Sequence, residues 1–450
     1  MYQKKLYNYN FPKNVLLILD RLNKNGEGFL VGGCVRDILS NIEPEDFDFV
    51  ANIDYKNLLN IFKDFKVKEI GATFGIIQVT IENESYEIAK YRIDSKQSDG
   101  RRPCSVVYTN DILEDLKRRD FTINGMAFNF KRGLIDPFNA VEDIENHKLK
   151  FIGNANERIK EDGLRILRAF RFQATKNFDI EKKDLDEIYK NRDMLNKISH
   201  ERISQEFSKI LLGNFKKTFY DMKESAILEK IIPEIKDTYD YNQNSKYHKY
   251  NLFEHIIKVM ENVPTNLELR YAALFHDLGK PSSKILGTDG YNHYYNHEVI
   301  SAEIAEKRLK DLKFSRKFIE EIKNLCLEHM CFNGSKSEKT IKKIISKYGE
   351  NFCEKLIDLS IADNAAKADN IKDEDGKKIL LENFEKIISK SKVPNINTLA
   401  IKGEDLINLG YSGKEIGKLK NSLLDLILND ILENERNILL EAVKNNKIKI

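Results

Sequence analysis

The sequence predicts an α+β protein, a small head of mixed strands and helices followed by an all-α remainder. Two observations predict it. Period-two alternation of apolar residues is confined to the amino-terminal part, and later apolar runs repeat at three- and four-residue spacing. The head opens with Val15 to Leu22, an amphipathic helical pattern. Leu30-Val31 ends a short apolar strand. Gly32-Gly33 makes a tight turn where backbone approaches a ligand without a Cβ in the way, and Cys34 to Ser40 reads as a helix start. Its free N–H groups face the turn, which makes a ready anion site. Asp46 and Asp48 alternate with Phe47 and Phe49 along the next strand, so both carboxylates share one face. Paired carboxylates beside a phosphate-binding turn suit Mg²⁺ held between protein and a triphosphate.

Tyr55 to Phe65 is a second helical pattern. Ile76–Ile81 and Tyr86–Ala89 alternate as strands around Glu82-Asn83-Glu84-Ser85, a hairpin signal. Asp94 to Pro103 has loop composition, suited to closing over a charged substrate. Next, Arg118 and Arg119 offer donors for phosphate oxygens, and Asp120 and Asn124 suit ribose hydroxyls. Glu157 to Phe172 reads as one helix carrying Arg158, Glu161, Asp162, Arg165, Arg168 and Arg171 on a charged stripe beside Leu164, Leu167 and Phe170. Cytosine and adenine each show an exocyclic amino donor beside a ring-nitrogen acceptor. Asp162 with Arg165 offers the matching acceptor and donor, whereas uracil and guanine would meet the carboxylate with a carbonyl.

A length of 450 residues allows two to four domains. The net charge of +3 is near balance, so a polyanion must be met by local basic clusters. No run has signal-peptide or membrane-span character. Cys34, Cys104, Cys326, Cys331 and Cys353 form neither a CxxC pair nor a disulfide framework, which points to a reduced, cytoplasmic setting. Six of the eight histidines lie between residues 248 and 329. The adjacent His276-Asp277 pair on an apolar helix, with further His and Asp residues on other helical segments, suits a helical metal site.

In order along the chain, Leu30 to Asp37, Asp46/Asp48, Arg118 to Asn124, Glu161 to Arg165 and Ser199-His200-Glu201-Arg202-Ile203 resemble the motifs of the class II nucleotidyltransferases, tRNA CCA-adding enzymes and bacterial poly(A) polymerases. Cys34 stands where that family usually has Ser or Ala, and Gln97 where an aromatic is frequent. The resemblance implies Asp46 and Asp48 as catalytic Mg²⁺ ligands. It implies Gly32, Gly33, Arg36, Arg119, Asp120, Asn124, Asp162, Arg165, Arg168 and Arg171 as nucleotide-binding, with CTP and ATP as substrates. Residues 245 to 370 resemble the HD phosphohydrolase superfamily. That implies His255, His276, Asp277 and Asp363 as ligands of a divalent transition metal, with His297 and His329 nearby.

The implied organisation is a nucleotidyltransferase head at 1–150, a helical neck at 151–220, an HD domain at 221–370 and a helical body and tail at 371–450 that grips the acceptor end and T-arm of tRNA. Asn370 to Lys392 reads as a charged helical linker. The function these resemblances imply is CCA addition. Poly(A) addition, or CC-only or A-only addition, is the alternative within the class. An HD phosphohydrolase with a nucleotide-sensing head is the alternative from another class, and a non-catalytic RNA-binding protein is a third reading that the Asp46/Asp48 pair opposes.

Overall fold

The computed structural model describes residues 2–71, 75–94, 106–245, 249–367, 373–390 and 392–445. The loop expected at 94–103, with Gln97, lies beyond Asp94 outside the described residues, as does Cys104. Contacts divide the chain into two compact units, 1–233 and 234–450.

In the first unit, helix α1 (Lys13–Asn25) buries Val15, Ile18, Leu19 and Leu22, the i, i+3, i+4, i+7 set that its sequence spacing predicts. Strand β1 (Gly28–Val31) is buried along its length. It lies so close to α1 that a Cβ on Gly28 would sit 2.5 Å from Leu22 Cβ. Helix α2 (Gly33–Leu39), β2 (Asp48–Ala51), β3 (Lys66–Gly71), β4 (Ile76–Ile81) and β5 (Glu84–Lys90) follow, then helix α3 (Ile112–Lys117), β6 (Ala127–Asn129) and β7 (Gly133–Ile135). The seven strands form one sheet in the order β3-β4-β5-β2-β1-β6-β7. Its pairings are antiparallel except β2 with β5.

The β4–β5 hairpin turns more tightly than expected. Ile81 pairs with Glu84, and Glu82 (φ 49) and Asn83 (φ 71) alone make the turn, so β5 begins two residues earlier than its alternation suggested. Likewise Asp46 precedes β2 rather than lying in it, and the helix expected over 55–65 stops at Ile61.

The stretch expected as one helix over 157–172 is two, α4 (Ala155–Glu161) and α5 (Arg165–Lys176). Asp162 between them is extended, at φ −148 and ψ 107. Gly163 packs so tightly that a Cβ there would lie 2.7 Å from the Met194 carbonyl oxygen. The helical bond lost at the break is replaced by Asp162 Oδ1, which accepts from Leu164 N at 3.0 Å. Helix α6 (His200–Leu212) packs against α5. A two-residue parallel pairing, Lys148-Leu149 with Asp179-Ile180, interrupts the all-α expectation here.

The second unit is mainly helical: α7 (Leu252–Asn262), α8 (Leu267–Phe275), α9 (His297–Asp311), α10 (Arg316–Glu328) and α11 (Glu350–Ala365) carry its centre. Asn251, Asn266 and Ser315 start three of them by accepting a backbone N–H with their side chains. A short hairpin, Lys284–Leu286 with Asn292–Tyr294, departs from the all-α expectation. The expected charged linker contains a helix, Glu374–Lys390, which buries Leu380 and Ile387 and donates from Asn383 Nδ2 to the Lys336 carbonyl, so it packs rather than merely spans. Leu399, Ile401, Leu406, Leu419, Leu423 and Leu439 give the tail a core of its own.

The tight seat of Gly163 yields a direct expectation. Gly163→Ala forces the Met194 carbonyl to move and is expected to lower stability by about 1–3 kcal/mol in urea unfolding. An unchanged midpoint would mean that the segment facing Gly163 yields freely.

Candidate active site

The β1–β2 register places Val31 directly opposite Asp48. Val31 is followed at once by Gly32, whose φ of 71 and ψ of −123 turn the chain into α2. A Cβ on Gly32 would meet Arg119 Nη1 at 2.9 Å, so the Arg119 guanidinium rests on the bare face of the turn. Asp46 and Asp48 are exposed while Phe47 and Phe49 are buried, the two-faced alternation expected from the sequence.

The parallel β2–β5 pairing sets Glu87 opposite Asp48 and adds a third exposed carboxylate. Sequence reasoning had given Glu87 only a place in a hairpin. Its signal was the polar phase of the strand, unreadable without the register. The Asp48 carboxyl is open to solvent along one edge but crowded by protein. Its pKa is pushed up to about 6, first by desolvation, then by the charge of Asp46 and, less, of Glu87, with Arg119 opposing.

Behind the turn, the Arg118–Asn124 block and the neck share a buried network. Asp115, fully buried on α3, accepts from Arg118 Nε at 2.9 Å and Arg119 Nη2 at 3.3 Å, which holds both arginines by one carboxylate. Arg36 donates to Asp37 Oδ1 at 2.9 Å and to Asn124 Oδ1 at 2.6 Å. Asn124 Nδ2 donates to Asp120 Oδ1 at 3.0 Å, and Asp120 Oδ2 accepts from Arg168 Nε at 2.7 Å. Burial alone would raise the Asp120 carboxyl, but the charge of Arg168 and the Asn124 hydrogen bond hold it well below the usual carboxylate range. Asp120 and Asn124, expected at ribose, are thus engaged with the arginines of the site.

Arg36, Arg168 and Arg171 stand 5.1, 5.6 and 4.3 Å from the centre of the buried Phe172 ring. Each has its own acid, Asp37, Asp120 and Glu206 respectively. Phe172 and Glu206 were not singled out from sequence, because an apolar helical position and an acid one helix away carry no local signal.

The helix break changes the partners of Asp162 and Arg165, the pair expected to read the base. Arg165 does not ion-pair with Asp162. It donates to Glu161 Oε2 at 2.7 Å and to the carbonyls of Arg158 and Arg118, each at 3.0 Å. Asp162 Oδ2 accepts instead from Arg202 Nη2 at 3.0 Å.

In the second unit, His255 on α7, His276-Asp277 after α8, His297 at the start of α9, His329 at the end of α10 and Asp363 on α11 converge, all buried. Two clusters with metal-ligand spacing arise among the described residues, His255/His276/Asp277 and Asp277/His297/His329. Asp277 is common to both. Its Oδ2 lies 3.3 Å from His255 Nε2 and 3.2 Å from His276 Nε2, and its Oδ1 lies 3.3 Å from His297 Nε2. Asp363 Oδ1 lies 3.1 Å from His255 Nε2. The Nδ1 atoms of His276, His297 and His329 sit 2.7, 2.7 and 2.6 Å from the carbonyl oxygens of Ala273, Tyr294 and Cys326. Donation there leaves each Nε2 as the ligating atom. Burial above all lowers His329 to about 3, so its imidazole is neutral near pH 7. A cavity of about 580 Å³ opens over Asp277, His297, His329 and Asp363.

Mixed sheet, glycine turn and paired carboxylates define a nucleotidyltransferase head, joined in this chain to a helical HD region. Residues 28–150 match the family model for the poly A polymerase head domain, 177–238 that for the probable RNA and SrmB-binding site of polymerase A, and 247–368 that for the HD domain. The CCA-adding enzyme of Enterococcus faecalis is 39% identical over 202 residues, 45% of this chain and 49% of that one, so the match spans about half the length of that relative. The CCA-adding enzyme of Ligilactobacillus salivarius is 28% identical over 445 residues, 96% of each chain. Among solved structures, the Bacillus stearothermophilus CCA-adding enzyme in complex with CTP superimposes with a TM-score of 0.71 at 21% identity, covering 96% of each chain. The Thermotoga maritima CCA-adding enzyme complexed with tRNA gives 0.60 at 20% identity, over 99% of this chain and 98% of that one. The three matches give the chain, in order, a poly A polymerase head domain, a probable RNA-binding segment of polymerase A and an HD domain. No helix among the described residues is long and apolar enough to cross a membrane.

The raised Asp48 carboxyl carries a pH dependence. Asp48 is ionised above about pH 6 and protonated below it, and only the ionised form ligates a cation. Mg²⁺ affinity, measured by calorimetry, is expected to be full near pH 7.5 and to fall roughly tenfold by pH 5. A flat profile would remove Asp48 from the ligand set.

Proposed function

We propose that this protein is a tRNA nucleotidyltransferase that adds or repairs the 3′-terminal CCA, using CTP and ATP without a nucleic-acid template. The observation that carries the reading is the register that sets Asp48, with Asp46 beside it, at the Gly32 turn on which Arg119 rests. The donor set fits Mg²⁺: two hard carboxylates lie close enough for the Asp46 charge to raise Asp48, a repulsion that a bound divalent cation relieves. Asp46 and Asp48 would hold Mg²⁺, which when bound would supply acidity for the 3′-hydroxyl and charge to neutralise the leaving pyrophosphate. Gly32, Gly33, Arg36 and Arg119 hold the triphosphate in line with the RNA terminus. Asp120 and Asn124 fix Arg36 and Arg168 against it. Asp162 accepts from the exocyclic amine of cytosine or adenine while Arg165 donates to the ring nitrogen, and Arg168 and Arg171 line the same nucleotide pocket.

The division of labour follows the chain: head (1–150) for chemistry, neck (151–220) for the nucleotide, body and tail (371–450) for the acceptor end and T-arm of tRNA, in the cytoplasm. The tail recognises shape and phosphate through scattered helical lysines. Its Lys402–Gly410 run favours CCA addition over poly(A) synthesis. The decisive assay uses tRNA transcripts ending before CCA, after C and after CC, with Mg²⁺ and CTP, ATP or both. Completion to CCA and no further is expected on all three. A long adenylate ladder would mean poly(A) synthesis, and arrest at CC or addition of the last A alone would mean a half-enzyme.

Two variants test the roles. Asp46→Ala with Asp48→Ala is expected to cut incorporation by at least about 10³-fold while CTP still binds, because the loss falls on charge that develops in the transition state. Asp162→Ala is expected to relax discrimination against UTP as well as slow addition.

The HD domain (221–370) supports a second reading, phosphoester hydrolysis at a divalent transition metal held by His255, His276, Asp277 and Asp363. The anchored Nδ1 atoms favour it. His276→Ala is expected to abolish such hydrolysis, assayed with Mn²⁺, Ni²⁺ and Zn²⁺ on a chromogenic phosphodiester, and to leave CCA addition in place.

A further inference from the structure

We infer that Arg202 is a specificity-determining residue, the group that orients the Asp162 carboxylate for base reading. The inference rests on the proposed nucleotide-reading role of Asp162 and Arg165. Asp162 lies in the extended break between α4 and α5, where no helical turn restrains its side chain. Two contacts fix the carboxylate. Leu164 N donates to Oδ1 at 3.0 Å, and the Arg202 guanidinium reaches Oδ2 at 3.0 Å and Oδ1 at 3.5 Å. The pair is half-buried, with side-chain exposures of 27% for Arg202 and 23% for Asp162.

Arg165, the donor of the reading pair, is held separately by Glu161 and by two backbone carbonyls. An acceptor and a donor that paired with each other would have to part for every incoming base. Here each is fixed by a third group, and the pair stays open. A carboxylate offers about four lone-pair sites, so the Arg202 contacts and the Leu164 bond leave room on Asp162 for an exocyclic amine. Arg202 reaches both carboxylate oxygens, and its planar fork sets the plane of the carboxylate in a way that a lysine ammonium cannot. Arg202 touches no reacting atom in this scheme; it acts through Asp162.

The test compares single-nucleotide addition of CTP and UTP to a tRNA transcript ending before CCA, as the ratio of kcat/KM values, in wild type, Arg202→Ala, Arg202→Lys and Asp162→Ala. Arg202→Ala is expected to lower the CTP-to-UTP ratio by about tenfold or more, because a mispointed acceptor no longer penalises a carbonyl. Arg202→Lys keeps the charge without the fork and is expected to lower the ratio by less, with the thermal midpoint unchanged. Should Arg202→Ala fail to fold, Arg202→Lys carries the test. A ratio equal to wild type in the folded Arg202 variants, with all nucleotides slowed alike, would overturn the inference and leave Arg202 a purely structural residue. Asp162→Ala separates the two levels: if it too keeps the wild-type ratio, the base-reading role itself is wrong, whereas if it loses the ratio and the Arg202 variants do not, only the role of Arg202 falls.

Discussion

Asp120 lies almost wholly out of water, and it stays ionised because Arg168 crosses from the neck to meet it. Much else in the first unit depends on that meeting. The same carboxylate accepts from Asn124, Asn124 accepts from Arg36, and Arg36 leans on Asp37, which also takes the ammonium of Lys176 at 3.2 Å. A chain of charge-assisted hydrogen bonds thus runs from helix α5 into the turn at Gly32. Removing one partner from a buried ion pair costs several kcal/mol, because the other charge is left without solvent or counter-charge. The Gly32 turn and the neck are therefore coupled by electrostatics and not merely by proximity.

Around Phe172 the same logic repeats. Three guanidiniums gather on one ring, an arrangement that like charges would resist unless each were neutralised. Asp37, Asp120 and Glu206 supply the three neutralising charges, each from a different part of the chain. The ring gives the arginines a flat apolar floor, and the acids set their directions. The result is a cationic wall fixed before any anion arrives, which lowers the reorganisation that binding would require.

Much of this was legible in the sequence, and the reasons differ by residue. The Asp46-Phe47-Asp48-Phe49 alternation reports its two faces through period two alone, and the buried phenylalanines and exposed aspartates obey it. Helix α1 was readable from spacing for the same reason. The break at Asp162 was not, because charges at positions 158, 161, 165 and 168 fit one helix well. At that break a Cβ on residue 163 would lie 2.7 Å from the carbonyl oxygen of Met194, thirty-one residues away, a packing that spacing does not report. Glu87 was invisible as a site residue, and Arg202 was legible only within the Ser199–Ile203 motif and not as the partner of Asp162, because strand register and helix packing decide their neighbours. In the second unit His255, His276 and Asp277 lie within one cluster and Asp363 touches His255, but the sharing of Asp277 between two imidazole groups is a property of its two oxygens and has no trace in spacing.

The seat of Gly163 also limits how this protein can change over generations. A residue between the two proposed readers of a base would ordinarily be a cheap place to alter preference. With a backbone oxygen 2.7 Å from where any Cβ would begin, every substitution there costs packing first. On the proposed reading, drift in nucleotide choice then falls to positions 162, 165 or 202, each tied to a charged partner. Such changes come only in matched pairs, and a lineage confined to paired steps keeps its substrate alphabet for a long time.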